Sequence, residues 1–141
     1  MINTFVLCKN EVFFRTIEKE LNKNHICCLD IFKDPETALE QYKKIRTKPD
    51  IILLDANWKK YITADATIIK QFKNTDSPPK IILVTNYYDE LIADKLKELN
   101  VQGYFYRNVE NVKTIIDCIK QVYKGKEYFI SKPNDLPDEK N

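Results

Sequence analysis

Short apolar runs alternate along the chain with longer stretches in which apolar residues return at every third or fourth position. The runs INTFVLC (2–8), HICCLDIF (25–32), DIILLD (50–55), KIILVT (80–85) and GYFYR (103–107) have the length and the β-branched and aromatic content of strands. Between them, Val12, Phe13, Phe14, Ile17 and Leu21 predict a helix over 11–22. Ala38, Leu39, Tyr42 and Ile45 predict a second helix, capped by Asp34 and opened by Pro35. Ile68, Ile69 and Phe72 mark a third over 64–72, which Ser77-Pro78-Pro79 stops. Leu91, Ile92, Leu96 and Leu99 mark a fourth starting at Asp89. Val112, Ile115, Ile116, Ile119, Val122 and Tyr123 mark a fifth, with Asn108 as its cap and Gly125 at its end. Five strand–helix units in strict alternation predict an α/β domain: a parallel sheet with helices on both faces and right-handed crossovers. Residues 1–129 are expected to form it. The remainder, 130–141, is polar, carries Pro133 and Pro137, and has no periodicity, as in a flexible tail or the start of a linker.

Polar residues at the ends of these runs are the candidate chemistry. Asp55 closes an apolar strand and so falls at the carboxyl end of the sheet, where open α/β sheets bind ligands. Thr85 and Arg107 close two further strands, so a carboxylate, a hydroxyl and a cation are expected to converge. The first strand ends in Lys9 and Asn10, where a metal site would want acids.

Taken together, Pro49-Asp50-Ile-Ile-Leu-Leu-Asp55, Thr85, and Gly103-Tyr104-Phe105-Tyr106-Arg107 resemble the receiver domain of two-component response regulators. The landmarks span 2–129, and the stretch from Gly103 to KGKEYF is most similar to receivers that precede a helix-turn-helix output domain. The resemblance implies a flavodoxin-like, doubly wound five-stranded sheet in the order 2-1-3-4-5. It implies Asp55 as phosphoacceptor, Thr85 and Tyr104 as a switch pair, and a cation at position 107 that pairs with carboxylate or phosphate. It also implies Mg²⁺ held by two acids after the first strand. Here Lys9 and Asn10 stand in their place, so Lys9, Asn10 and the Asn57 carbonyl make a degenerate metal site with too few charged oxygens, and Mg²⁺ is expected to bind weakly or not at all. Arg107 replaces the usual lysine; it keeps the charge but brings a longer, planar fork. With Lys9 nearby, Asp55 faces two cations that neutralise the crevice without a metal. The expected function is therefore an atypical receiver module in phosphorelay signalling, impaired in Mg²⁺-dependent phosphorylation and acting through protein contacts, not an enzyme. The alternative is an active phosphoacceptor that uses Lys9 and Arg107 in place of the metal. Expected partners are a sensor histidine kinase, and a second copy or an output domain on the fourth helix, fifth strand and fifth helix, including Leu91, Lys95, Tyr106 and the exposed side of 109–123.

Charge and composition narrow the field. Twenty-three basic and 21 acidic residues, interspersed, give a net charge of +2 and no basic face for nucleic acid. No run is long enough to cross a bilayer and the N-terminus lacks the pattern of a secretory leader, so a cytoplasmic location is expected. Cys8, Cys27, Cys28 and Cys118 have no CxxC spacing and read as buried reduced thiols, which leaves a thiol sensor remote. His25 and Cys27, placed on one strand face, offer only two metal ligands. Two glycines in all exclude a phosphate-cradling glycine loop, and with it a nucleotide-binding enzyme of the same shape. Trp58, expected on the loop after Asp55, is read as a packing residue, with shielding of the crevice or binding of a partner as the alternative.

Overall fold

The computed structural model describes residues 1–55, 58–85, 90–106 and 112–129, with the backbone alone at 58–65, 90 and 106. The chain runs β1 (Ile2–Leu7), α1 (Val12–Lys23), β2 (Ile26–Phe32), α2 (Pro35–Lys44), β3 (Ile51–Asp55), α3 (Trp58–Lys73), β4 (Lys80–Thr85), α4 (Glu90–Glu98), β5 (Gly103–Tyr106), α5 (Val112–Tyr123) and β6 (Tyr128–Phe129). All strands are parallel, in the order β2-β1-β3-β4-β5-β6. The expected order is present, extended by a sixth strand, β6, that the pattern of the chain does not predict. A two-residue strand has no periodicity of its own to detect.

Strand alternation divides the interior cleanly. Val6, Leu53, Ile82, Val84 and Phe105 face one core with Phe14, Ile17 and Leu21 of α1 and Ile115, Ile119 and Val122 of α5. Phe5, Leu7, Ile52, Leu54, Leu83 and Tyr104 face the other, under Tyr42 of α2, Phe72 of α3 and Leu96 of α4. Tyr42 and Tyr104 are among the largest fully buried side chains of that second core, and Tyr42 is tied in from several sides. Its ring meets Phe5 and Phe72 edge-on, its hydroxyl donates to the Ser77 carbonyl, and burial raises its pKa. Beneath it, the Lys48 ammonium donates to the Tyr42 carbonyl at 2.6 Å and the Ile45 carbonyl at 3.3 Å, satisfying the last turn of α2. At the other end of α2, Asp34 caps as expected: its carboxylate accepts from the Glu36 N–H at 3.2 Å and the Thr37 hydroxyl at 2.7 Å.

Several boundaries differ from expectation. Helix α3 starts at Trp58, six residues before the expected Ala64, so Trp58 opens a helix rather than lying in a loop. Val12 (65% exposed) and Tyr123 (45% exposed) lie outside the apolar stripes to which periodicity assigns them, since both sit at helix ends where a three-to-four-residue pattern loses its neighbours. His25 has φ 63° and precedes β2, so it does not share a strand face with Cys27. Strand β2 carries a bulge: Thr4 pairs with Cys28 and Phe5 with Asp30, leaving Leu29 unpaired. Gly103 is needed for a reason the sequence does not advertise. A Cβ there would lie 2.9 Å from Ile82 Cγ1 and 3.2 Å from Val122 Cγ2, so its absence lets α5 sit close on the sheet. The capping residues expected at Asp89 and Asn108 and the tail at 130–141 lie outside the described residues.

Candidate functional site at the carboxyl end of the sheet

The chain leaves β1 toward β2 on one side, and the strands from β3 onward build the other, so the crevice between β1 and β3 is the topological switch point. Register aligns the strand ends there. Leu7 pairs with Leu54, Asp55 with Val84, and Thr85 with Tyr106. Asp55 therefore stands half-exposed at the tip of the central strand, with Lys9, which is exposed, just past the end of its neighbour.

Thr85 and Tyr104 are both fully buried. Since Leu83 is the register partner of Tyr104 and packs in the same core, alternation places Thr85, two residues on, on that same sheet face. The two are diagonal cross-strand neighbours, a spacing an aromatic side chain can reach. The structure thus brings Asp55, Thr85 and Tyr104 to one end of the sheet, with Lys9 beside them. Arg107 and Asn57 lie outside the described residues.

The turn from β1 into α1 is informative about cations. The Asn10 side-chain oxygen accepts from the Val12 N–H at 3.0 Å, and so caps the first turn of α1. The Glu11 carboxylate lies 3.9 Å from the Arg15 guanidinium on the exposed side of α1, and Arg15 also binds Glu18 at 3.3 Å. The Asn10 oxygen is thus engaged at the start of α1, and the Glu11 carboxylate makes a loose, exposed pair with Arg15. The capping role of Asn10 is legible as an Asx residue two positions before a helix, a signal that the search for metal ligands passes over.

Other candidate chemistry is set aside by the same structure. Burial pushes the Cys28 thiol up to about 12 and raises the Cys118 thiol as well, which keeps both protonated and inert. Among the described residues no three of His, Cys, Asp and Glu gather as a metal site.

No family model matches the chain, and no curated protein matches it. Solved structures do. The isolated REC domain of RcsB from Salmonella enterica serovar Typhimurium, in its apo form, superposes with TM-score 0.77 at 16% identity, covering 93% of this chain and 94% of that one. A LuxR-family two-component response regulator from Aurantimonas sp. SI85-9A1 gives TM-score 0.71 at 13% identity, covering 89% and 87%. A LuxR-family DNA-binding response regulator from Silicibacter pomeroyi gives 0.73 at 12% identity, covering 94% and 98%. The chain has the receiver fold. The Mg²⁺ which that fold implies does not suit Lys9 and Asn10, a cation and a neutral amide engaged at the α1 N-terminus, where the ion would need two acids.

Proposed function

We propose that this chain is a receiver module of phosphorelay signalling that has lost Mg²⁺-assisted phosphoryl transfer and works through protein contacts, as the regulatory part of a transcriptional regulator. The observation that carries this is the fate of Lys9 and Asn10 in the turn from β1 into α1. Lys9 brings positive charge where the reaction needs a cation held by acids, and Asn10 spends its oxygen on the α1 N-terminus. In this reading Asp55 is neutralised by Lys9 and Arg107, Thr85 and Tyr104 remain the switch pair, and the module is not an enzyme. It acts in the cytoplasm; among the described residues no helix is long and apolar enough to cross a membrane. One of the similar chains is a DNA-binding response regulator, which supports an output domain as partner here. In this reading the α4–β5–α5 side, which carries the exposed Leu91, is the docking face for that domain or for a second copy.

The test is incubation of the full chain with acetyl phosphate, with and without Mg²⁺, resolved on a gel that retards phosphoproteins. The expected result is no Mg²⁺-dependent modification. Mg²⁺-dependent labelling that Asp55→Asn abolishes would overturn the proposal. Labelling at Asp55 that ignores Mg²⁺ would instead establish the alternative, a phosphoacceptor in which Lys9 and Arg107 replace the ion.

A further inference from the structure

Strand β6 straddles the outer edge of the sheet. Tyr128 packs against the α1/α5 core, and its N–H donates to the Gln102 carbonyl at 2.9 Å. Phe129 packs against the opposite core, as the register partner of Tyr104. The Lys97 ammonium of α4 lies 4.9 Å from the centre of the Phe129 ring, so that ring is held between the switch strand and α4. Tyr104 is fully buried on β5, and β6, which carries Phe129, is its neighbour on the outer side of the sheet. Phe129 is therefore the side chain that flanks Tyr104 on that outer side, in the same core.

We propose that Phe129 is a positioning residue for Tyr104: it wedges the ring in its buried position, so burial of Tyr104 and docking of residues 126–129 are one equilibrium. The segment after residue 129 would read the state of the crevice through this wedge. The inference rests on the proposed switch role of Thr85 and Tyr104 and adds the element to which they report. Because the coupling is thermodynamic it runs both ways: freeing the strand frees the ring, and removing the ring loosens the strand.

The experiment uses the full chain labelled with 3-fluorotyrosine, in which Tyr104→Phe identifies the Tyr104 signal among eight tyrosines. In the wild type this signal resists broadening by a soluble paramagnetic agent. Phe129→Ala shifts it and makes it accessible, while Phe129→Leu, which refills the gap, leaves it protected. In the reverse direction, Tyr104→Leu raises tryptic cleavage after Lys126 by roughly tenfold over any change in global unfolding. A Tyr104 signal unmoved in Phe129→Ala, or cleavage after Lys126 that rises only in step with global unfolding, overturns the proposal. Thr85→Val separates it from the reading on which it rests. If the Phe129–Tyr104 coupling holds but Lys126 cleavage ignores Thr85→Val, the wedge stands and the switch pair falls.

Discussion

Replacing Lys9 and Asn10 together by aspartate should give this chain a Mg²⁺ site that the wild type lacks. Asn10→Asp preserves the acceptor that now takes the Val12 N–H at 3.0 Å, and an anion at the α1 N-terminus gains about 0.3–1 kcal/mol from the helix dipole. Lys9 is exposed, so its loss should cost little packing. The larger effect is repulsion, because two new carboxylates would join Asp55 at the tip of β3. At roughly 5–6 Å and an effective dielectric near 20 each pair repels by about 3 kcal/mol, and solvent at this half-exposed end cuts that to about 1 kcal/mol. The metal-free variant should therefore be less stable than wild type by about 1–2 kcal/mol. Mg²⁺ at ten times its dissociation constant restores about 1.4 kcal/mol, and at a hundred times about 2.7 kcal/mol. For a domain of this size that is a rise in Tm of roughly 5–10 °C. The assay is thermal unfolding followed by circular dichroism in MgCl₂, against NaCl of matched ionic strength to remove screening. The variant should gain the rise, and Asp55→Asn within it should lose the gain. Wild-type protein stabilised by Mg²⁺ above the salt control, in a manner that Asp55→Asn removes, would refute the reasoning outright.

Other outcomes test separate parts of the structure. If Lys9 pairs with Asp55, a double-mutant cycle of Lys9→Ala and Asp55→Asn in urea unfolding should give a coupling of about 0.2–1 kcal/mol, small because Lys9 is exposed; zero coupling would remove Lys9 as the substitute cation. Gly103→Ala should cost about 1–3 kcal/mol through overpacking against Ile82 and Val122, with Val122→Ala in the same chain recovering part of it, and an unchanged unfolding midpoint would contradict the close approach of α5. Burial lowers the Lys73 ammonium to about 8 from 10.5, while it donates to the Pro79 carbonyl and Gln102 Oε1, each at 2.9 Å. The unfolded chain thus holds the proton more tightly between pH 8 and 10.5, and stability should rise with pH across that window relative to Lys73→Met. A flat difference between the two proteins would show that Lys73 is not desolvated.

The parts of this fold that are legible in the sequence are those written as repeated patterns. Apolar runs such as IILLD and KIILVT can only be buried from both sides, which requires helices on both faces and hence the doubly wound sheet. Asp55 and Thr85 are legible because a polar residue ending such a run has one place to go. Features set by a single contact are not. The role of Gly103 depends on two side chains from β4 and α5 that only folding brings near it, and β6 depends on an edge that exists once β5 is in place. Asn10 shows a third kind of difficulty: one side chain suits two roles, metal ligand and helix cap, and local geometry chooses the cap.

The bulge at Leu29 has a bearing on how this molecule meets others of its kind. Among the described residues, one border of the sheet is β2, whose pairing slips by a residue in mid-strand, and the other is β6, described over Tyr128–Phe129. Among the described residues the bulge breaks the straight ladder of backbone donors and acceptors that the β2 border would otherwise offer to a neighbour's strand. Growth of the sheet from molecule to molecule, the route to runaway polymers, is thus discouraged at the β2 border. An edge so interrupted favours side-chain chemistry over backbone complementarity in any contact made there.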